Sequence, residues 1–290
     1  MRIAITGAGG LLGQNILQIL KETDNTVYAF SSQGNLLQST FRDAKNFCFL
    51  EITDDIPAGI DVLIHCAFPR NEDGEQLAAG LKYIQDIFCQ CVEKKVGAVI
   101  NISSQSVYSQ SRDFPADENS VLNLESKYAV GKYASELLLN TICQSTCHTN
   151  IRMASLIGAE FHQRIVNKFV KTALTEKELT VLAGAQSYGY MDVRDAADAL
   201  VTMCLSSINP RQWEESYNLG IENTYSLMDI ASEVKRQVET ELGCKIKLNI
   251  KKHEANINTA LNSQRFYQTF DWRPRISLQK TVHNILRKEC

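Results

Sequence analysis

A tyrosine and a lysine four positions apart, Tyr128 and Lys132, are the residues whose spacing most directly suggests chemistry. On a helix they lie one turn apart on the same face, so the ammonium can approach the phenol. A free tyrosine ionises at about pH 10, so near neutral pH it needs a positive neighbour to stabilise its phenolate. Lys132 can supply that charge and also bind a cofactor ribose. Because the chain has ten tyrosines, a chance pair is common, and its weight comes from the surrounding sequence.

A hydroxyl-rich segment, Ser103-Ser104-Gln105-Ser106, directly follows an apolar run at residues 98–102. Ligands of open α/β sheets bind at the carboxyl ends of strands, so Ser104 is well placed to hydrogen-bond a substrate oxygen. A serine-rich segment by itself is usually only a loop. Together with Tyr128 and Lys132, however, Ser104 completes a predicted catalytic group.

A glycine motif stands at the N-terminus and reads Thr6-Gly7-Ala8-Gly9-Gly10-Leu11-Leu12-Gly13. It follows a strand-like run and opens a helical one, which is the context of a dinucleotide-binding turn. Gly7 would permit the tight turn, Gly10 would let the backbone approach a pyrophosphate, and Gly13 would allow close helix–strand packing. The helix start would add free N–H groups and a positive dipole end. The alternative is a purely structural strand–helix turn.

The predicted second strand ends in Ser31 and Ser32, where NAD enzymes place an acid that binds the ribose 2′-hydroxyl. Two hydroxyls could donate to a 2′-phosphate, and Arg42 could supply a cation. This pattern favours NADP over NAD, although both serines could simply begin a polar loop.

Composition excludes several classes of protein. The chain has 290 residues, of which 44% are hydrophobic and 22% charged, as is typical of a globular protein. Its formal charge of −3 gives no general attraction to nucleic acids or anionic membranes. We find no signal peptide and no apolar run near the roughly 18 residues of a membrane span, so we expect a cytoplasmic protein. Nine cysteines without a Cys-x-x-Cys pair predict free thiols and no metal site.

Strand-like and helical segments alternate along the chain. The strand-like runs cover residues 2–6, 26–30, 46–50, 61–65, 98–102 and 150–153, and the helical ones cover 11–21, 75–93, 126–141 and 163–176. This alternation predicts an α/β, Rossmann-type, doubly wound parallel sheet. Acidic or serine capping boxes are expected at 192–195 and 226–229. We expect residues 1–153 to form the dinucleotide domain, with 192–220 returning to it, and 154–191 with 221–290 to form a smaller substrate lobe.

Together these segments resemble the extended branch of the short-chain dehydrogenase/reductase superfamily, which contains sugar-nucleotide epimerases, dehydratases and reductases. The resemblance implies that Tyr128 is the acid–base group, that Lys132 binds ribose and tunes the tyrosine, and that Ser104 polarises the carbonyl. It also implies a homodimer paired through the helices at 75–93 and 126–141. Further cofactor contacts would come from Leu11, Leu12, Glu51, Ile52, Cys66 and Ala67, and substrate contacts from Phe68, Arg70, Gln105, Ser106, Ser155 and Tyr188.

Three departures from the family pattern bear on the reaction. The helix after strand four reads Leu77-Ala78-Ala79-Gly80, where the family often has an asparagine that supports a water relay behind the lysine. Tyr188 replaces an arginine that holds diphosphate, for which Arg70, Arg164 or Arg194 are possible substitutes. Gln105 and Ser106 replace the acidic pair of the dehydratases. We therefore expect hydride transfer on a sugar-like, nucleotide-linked substrate without dehydration, with a ketoreductase favoured over an epimerase. The alternative from another class is a catalytically silent NAD(P)-binding module.

Overall fold

The computed structural model describes residues 1–69, 73–254 and 256–290. Its strands are β1 Arg2–Thr6, β2 Thr26–Phe30, β3 Phe47–Leu50, β4 Val62–His65, β5 Ala98–Ser104, β6 Cys147–Met153, β7 Ser155–Ile157, β8 Glu178–Ala183, β9 Gln186–Ser187, β10 Tyr190–Asp192, β11 Ser216–Leu219, β12 Lys247–Lys252 and β13 Ile257–Asn258. Its α-helices are α1 Leu11–Leu20, α2 Gly34–Thr40, α3 Gly74–Glu93, α4 Lys127–Ile142, α5 Ile165–Glu176, α6 Val193–Leu205, α7 Leu227–Leu242, α8 Gln264–Phe270 and α9 Leu278–Glu289. Short 3₁₀ helices cover Gln105–Val107 and Pro210–Gln212.

Seven of the described strands form one parallel sheet in the order β11-β6-β5-β4-β1-β2-β3. Alternate residues of each strand face opposite sides, so Ile3 and Ile5 join the core under α1 and α6, while Ala4 joins the core under α3 and α4. The chain reverses its direction of winding between β1 and β4. The carboxyl ends of these two strands therefore flank the crevice where open α/β sheets bind ligands. This architecture confirms the predicted fold class.

The predicted elements match the observed ones to within a few residues. The elements that were not predicted are the strands β7 to β11 and β13, the helix α8 and, after β2, the helix α2. It has only seven residues, and its sequence reads as a polar loop after Ser31 and Ser32. The capping box at Ser226 and Asp229 is confirmed. The capping box expected at 192–195 is wrong. Asp192 caps α6 by accepting a hydrogen bond from the Arg194 amide, and Asp195 does not take part in the cap.

Asp195 instead fastens the C-terminal segment to α6. Its carboxylate accepts hydrogen bonds from the backbone amides of Arg275 and Ile276, at 3.0 and 2.8 Å. Trp272 adds an indole N–H bond of 2.7 Å to Asp198 on the same helix. A separate apolar core lies beyond this contact, between β8 and helices α5, α7 and α9. The division of the chain into two lobes at the expected boundaries stays a prediction.

The part of the chain that the structure describes contains neither a membrane-spanning helix nor a cluster of metal ligands. No helix there is long and apolar enough to cross a membrane. No group of three His, Cys, Asp or Glu side chains there could hold a metal ion.

A buried polar network ties the central strands to α4. The Glu136 carboxylate accepts a hydrogen bond from Ser103 at the end of β5 and pairs with Arg152 of β6, with an Nη2–Oε2 distance of 2.8 Å. Arg152 also donates to the Tyr108 hydroxyl at 2.9 Å, and that hydroxyl donates to Asn218 of β11 at 2.9 Å. These bonds hold α4 in register with the strand ends.

We predict that Arg152→Met is strongly destabilising, because it leaves the Glu136 carboxylate buried without its counter-charge. Removing one partner of a buried ion pair typically costs about 3–5 kcal/mol. Chemical denaturation of the variant should show this loss in the free energy of unfolding. The double variant Arg152→Met/Glu136→Leu should lose less than the sum of the two single changes, and strict additivity would contradict the coupling.

Candidate active site

The glycine turn lies at the carboxyl end of β1, against the end of β4. Gly7 has φ +69°, and a Cβ on it would lie 2.6 Å from the Ala67 amide nitrogen. A Cβ on Gly13 would lie 2.5 Å from the Gly7 carbonyl oxygen. These two positions require glycine, and Gly10 then begins α1 with no side chain to cap its first amides. Leu11 and Leu12 form the first turn of the helix.

This turn fits a dinucleotide. The cradle exists only because glycines leave it open, and the free amides of α1 face the crevice with the positive end of the helix dipole. Ala67 packs directly under Gly7, and the Cys66 thiol, which stays protonated because burial raises its pKa to about 12, lies near the Lys132 ammonium. The structure thus brings the predicted residues of β1, α1 and β4 to one place, although their contacts with a cofactor remain proposals.

The polar segment after β2 combines hydroxyls that would favour a cofactor 2′-phosphate with a nearby carboxylate that would disfavour it. Ser31 is buried, and its hydroxyl oxygen accepts the Gln33 amide at 2.9 Å, whereas Ser32 is exposed. At the start of α2, a Cβ on Gly34 would lie 2.7 Å from an oxygen of Glu51, which follows β3. A carboxylate that the sequence alone did not place here is therefore beside the two serines.

Arg42 lies beyond the last residue of α2 and points to solvent. Its side chain is 81% exposed and pairs with Asp43 at 3.8 Å. Ile52 is 42% exposed just after Glu51. The expected role of Arg42 as a phosphate ligand thus rests on the sequence alone.

Tyr128, Lys132 and Ser104 come together as the sequence predicts. Ser126 begins α4 by accepting the Ala129 amide, which orients the first turn that carries Tyr128. Ser104 ends β5, and its hydroxyl oxygen accepts bonds from the amide and hydroxyl of Ser106 at 3.2 and 3.0 Å. The Tyr128 hydroxyl lies within hydrogen-bonding reach of Ser104.

Surrounding protein raises the pKa of the Tyr128 phenol, while the bond to Ser104 and the charge of Arg164 act to lower it. The tyrosine side chain is 38% exposed, so it borders an open cleft. Without a cofactor the phenol is therefore the protonated, proton-donating form near neutral pH. From the sequence we expected Arg164 only as a possible diphosphate ligand. Its proximity to Tyr128 could not be predicted, because the two residues are far apart along the chain.

Lys132 is almost completely buried. Burial lowers its pKa to about 7, and the negative charge of Glu136 opposes that effect. The ammonium donates to the Ile102 carbonyl at 2.7 Å and lies 4.0 Å from the centroid of the Phe68 ring. These two contacts partly replace the water that the charge has lost.

His65, at the end of β4, is a neutral structural residue. Burial and the charge of Lys132 lower its pKa to about 3, and its Nδ1 shares a 2.7 Å hydrogen bond with Thr6. It is therefore not an acid–base candidate near neutral pH.

The predicted substrate residues lie around the Tyr128 cleft to different extents. Gln105 is buried beside Ser104, and Ser155 lies on β7. Tyr188 stacks on Tyr190 with ring centroids 5.2 Å apart and an interplanar angle of 14°. The charge of Arg164 acts on Tyr190 as well as on Tyr128, so this stack borders the same space.

The three arginines considered for diphosphate binding differ in how far the structure supports that role. Arg70 lies outside the described residues. Arg194 is engaged by Asp192, with Nε and Nη2 donating at 2.8 Å each. Arg164 is exposed and its charge acts on Tyr128, so of the two described arginines it is the better placed to bind a diphosphate near that residue.

Residues 3–220 match the model of the NAD dependent epimerase/dehydratase family, so the chain belongs to that family. It is an enzyme of the extended short-chain dehydrogenase/reductase type, as the sequence resemblance implied. No curated protein sequence matches the chain.

Solved structures show the same fold at low sequence identity. The UDP-glucuronic acid 4-epimerase from Bacillus cereus, in complex with UDP-glucuronic acid and NAD, is 20% identical with a TM-score of 0.81, over 99% of this chain and 98% of that one. MoeE5 in complex with UDP-glucose and NAD is 17% identical with a TM-score of 0.79, over 100% and 98%. The NAD dependent NDP-hexosamine 5,6-dehydratase TunA, involved in tunicamycin biosynthesis, is 18% identical with a TM-score of 0.79, over 99% and 97%.

We predict that Tyr128→Phe lowers turnover by about 100- to 10,000-fold, the usual contribution of an acid–base group. Cofactor affinity should stay nearly unchanged, because the substitution removes only the hydroxyl that moves the proton. Steady-state turnover and a cofactor titration on the same preparation measure both effects. Tyr133→Phe on the same helix is the matched control and should keep normal turnover. Near-normal activity of Tyr128→Phe would refute its assigned role.

Proposed function

We propose that the protein is an epimerase that inverts one carbinol carbon of a nucleoside-diphosphate sugar. A bound nicotinamide supplies the hydride acceptor and donor for this chemistry. The charge of Lys132 would favour the phenolate form of Tyr128 once the cofactor is bound. This phenolate takes the hydroxyl proton as the sugar is oxidised, and Ser104 hydrogen-bonds the resulting carbonyl oxygen. After the ketosugar has turned its other face to the site, Tyr128 returns a proton to that oxygen. No net proton, hydride or water is gained or lost.

The observation that carries this proposal is the closed surrounding of Lys132. A net reduction takes one proton from solvent in every turnover, so it benefits from a polar route behind the lysine. Here the ammonium is covered by the Ile102 carbonyl and the Phe68 ring. Residues 77–80 of α3 also lack the asparagine that supports a water relay in many members of the family. An epimerase reuses the proton that Tyr128 has taken and does not need that route. We therefore favour an epimerase over the ketoreductase that the sequence predicts.

The substrate class rests on similarity and on one charge. The B. cereus epimerase and MoeE5 are named with UDP-sugars. Arg164 can bind an anionic diphosphate or carboxylate, and the Tyr188–Tyr190 stack offers a flat aromatic surface with two hydroxyls. These features suit a nucleotide-linked sugar.

Dehydration is not part of the proposal, although one similar structure is a dehydratase. Loss of water needs an acid for the departing hydroxyl and a base for the neighbouring carbon's proton, work usually given to carboxylates. Gln105 and Ser106 offer neither.

The proposal predicts an isomer of unchanged mass when the purified enzyme is incubated with UDP-glucose, UDP-glucuronic acid or UDP-N-acetylglucosamine. Chromatography and mass spectrometry identify the product, and Tyr128→Phe serves as the negative control. Product lighter by one water would show a dehydratase. Stoichiometric consumption of NADPH with a ketosugar would show the second candidate, a ketoreductase, which Ser31 and Ser32 favour through their suitability for NADPH.

We also propose that NADP(H) binds at least as tightly as NAD(H), because Ser31 and Ser32 replace the acid that excludes a 2′-phosphate. Glu51, beside Gly34, opposes this preference, so Glu51→Gln should increase it. Ser31→Asp should reverse it through charge repulsion. Calorimetric titration of both cofactors into the three proteins measures these changes. A strong NAD preference in the unmodified enzyme would contradict the proposal.

A homodimer through α3 and α4 completes the proposal. The apolar stripe Ile84, Ile87, Phe88 and Cys91 is buried in the chain's own core and gives no support. Val130 and Leu137, however, lie two turns apart on α4 and are 47% and 48% exposed. Burial of these side chains in a second copy would remove an exposed apolar face, and light scattering gives the mass that decides it.

A further inference from the structure

Two glycines on neighbouring helices face a slot that admits no side chain from either helix. A Cβ on Gly80 of α3 would lie 2.6 Å from Cδ of Pro69. A Cβ on Gly131 of α4 would lie 2.9 Å from Cζ of Phe68 and 2.6 Å from Cδ1 of Leu77. The segment after β4, Phe68-Pro69, therefore fills the space that side chains at these two positions would occupy.

The Phe68 ring held in this slot contacts both members of the tyrosine–lysine pair. The Lys132 ammonium lies 4.0 Å from the ring centroid, well within the range of a cation–π interaction. The Tyr128 ring meets Phe68 edge-on, with centroids 5.5 Å apart and an interplanar angle of 87°. The ammonium is also 6.0 Å from the Tyr128 ring centroid, so Phe68 is the closer aromatic face.

The other groups around Lys132 do not compensate fully for its burial. Glu136 from α4 favours the charged lysine. Cys66, next after β4, stays a neutral thiol because burial raises its pKa to about 12, and the neutral His65 of β4 adds no counter-charge. The carbonyl of Ile102 on β5 accepts one ammonium proton at 2.7 Å. On the α3 side of the slot stand Gly80, the aliphatic Leu77 and the ring itself. A π face is thus the chief group on that side that can stabilise a cation.

We propose that Phe68 is a positioning residue, whose ring face holds the Lys132 ammonium charged and directed between Tyr128 and the cofactor ribose. Gly80 and Gly131 make this possible by leaving the slot open to the ring. This inference rests on the proposed function only in that Lys132 binds the ribose.

The test is the pH dependence of NADPH and NADH affinity in the full chain without any substrate. Affinity should fall as the pH rises through the pKa of Lys132, because the neutral amine is a weaker ribose ligand. Phe68→Leu keeps an apolar side chain but removes the π face, so the fall should move to lower pH by about half to one unit. Phe68→Tyr retains the ring and should keep the original profile.

Two results would count against these claims, and a second variant covers the case in which the first does not fold. Equal weakening of Phe68→Leu at every pH, with an unshifted profile, would show a packing role only and overturn the inference. If Phe68→Leu does not fold, Gly131→Ala displaces the ring through its contact with Phe68 Cζ and should shift the profile in the same direction. Normal cofactor profiles with no epimer formed from any UDP-sugar would instead count against the proposed function and leave the role of Phe68 intact.

Discussion

The burial of one positive charge, the Lys132 ammonium, is the constraint on which the active site depends. Bringing that charge into the protein lowers its pKa from 10.5 to about 7, and each unit corresponds to about 1.4 kcal/mol. The pKa of Lys132 is lower in the folded protein than in the unfolded chain. The loss in the free energy of unfolding is therefore fully present below about pH 7, and it disappears as the pH approaches the pKa of free lysine. The folded protein is therefore less stable than it would be without a buried cation beside Tyr128.

The elements around Lys132 can be understood as compensation for that cost. The carbonyl of Ile102 and the ring of Phe68 contact the ammonium directly. Glu136, one helical turn further along α4, adds negative charge, and its pairing with Arg152 fixes it in place. The same network runs through Ser103 to the end of β5, where Ser104 meets Tyr128. The positions, charges and hydrogen bonds of Ser104, Tyr128 and Lys132, the predicted catalytic group, are thus set by one connected network of buried bonds.

The parts of this account that follow from sequence are those fixed by local pattern. Apolar runs located six of the seven strands of the central sheet, all but β11, and helical periodicity located α4. The glycine motif was found because tight turns and close packing exclude other residues. The short helix α2 was missed because a seven-residue helix leaves too little periodicity to detect. Arg164 beside Tyr128, Glu51 beside Gly34 and Phe68 over Lys132 depend on contacts between distant segments. Gly80 and Gly131 were the available signal for the slot, but nothing in the local sequence shows that both of them border Phe68-Pro69.

The central claim is that the site moves hydride away from and back to the same sugar carbon without exchange with the medium. The most direct measurement uses a UDP-sugar that carries deuterium on the carbon to be inverted, converted in ordinary water with unlabelled NADP(H) and NAD(H) added in excess. The account predicts that the epimeric product keeps its deuterium on that carbon, as determined by mass spectrometry and NMR. Loss of the deuterium to the added cofactor pool or to water would contradict it.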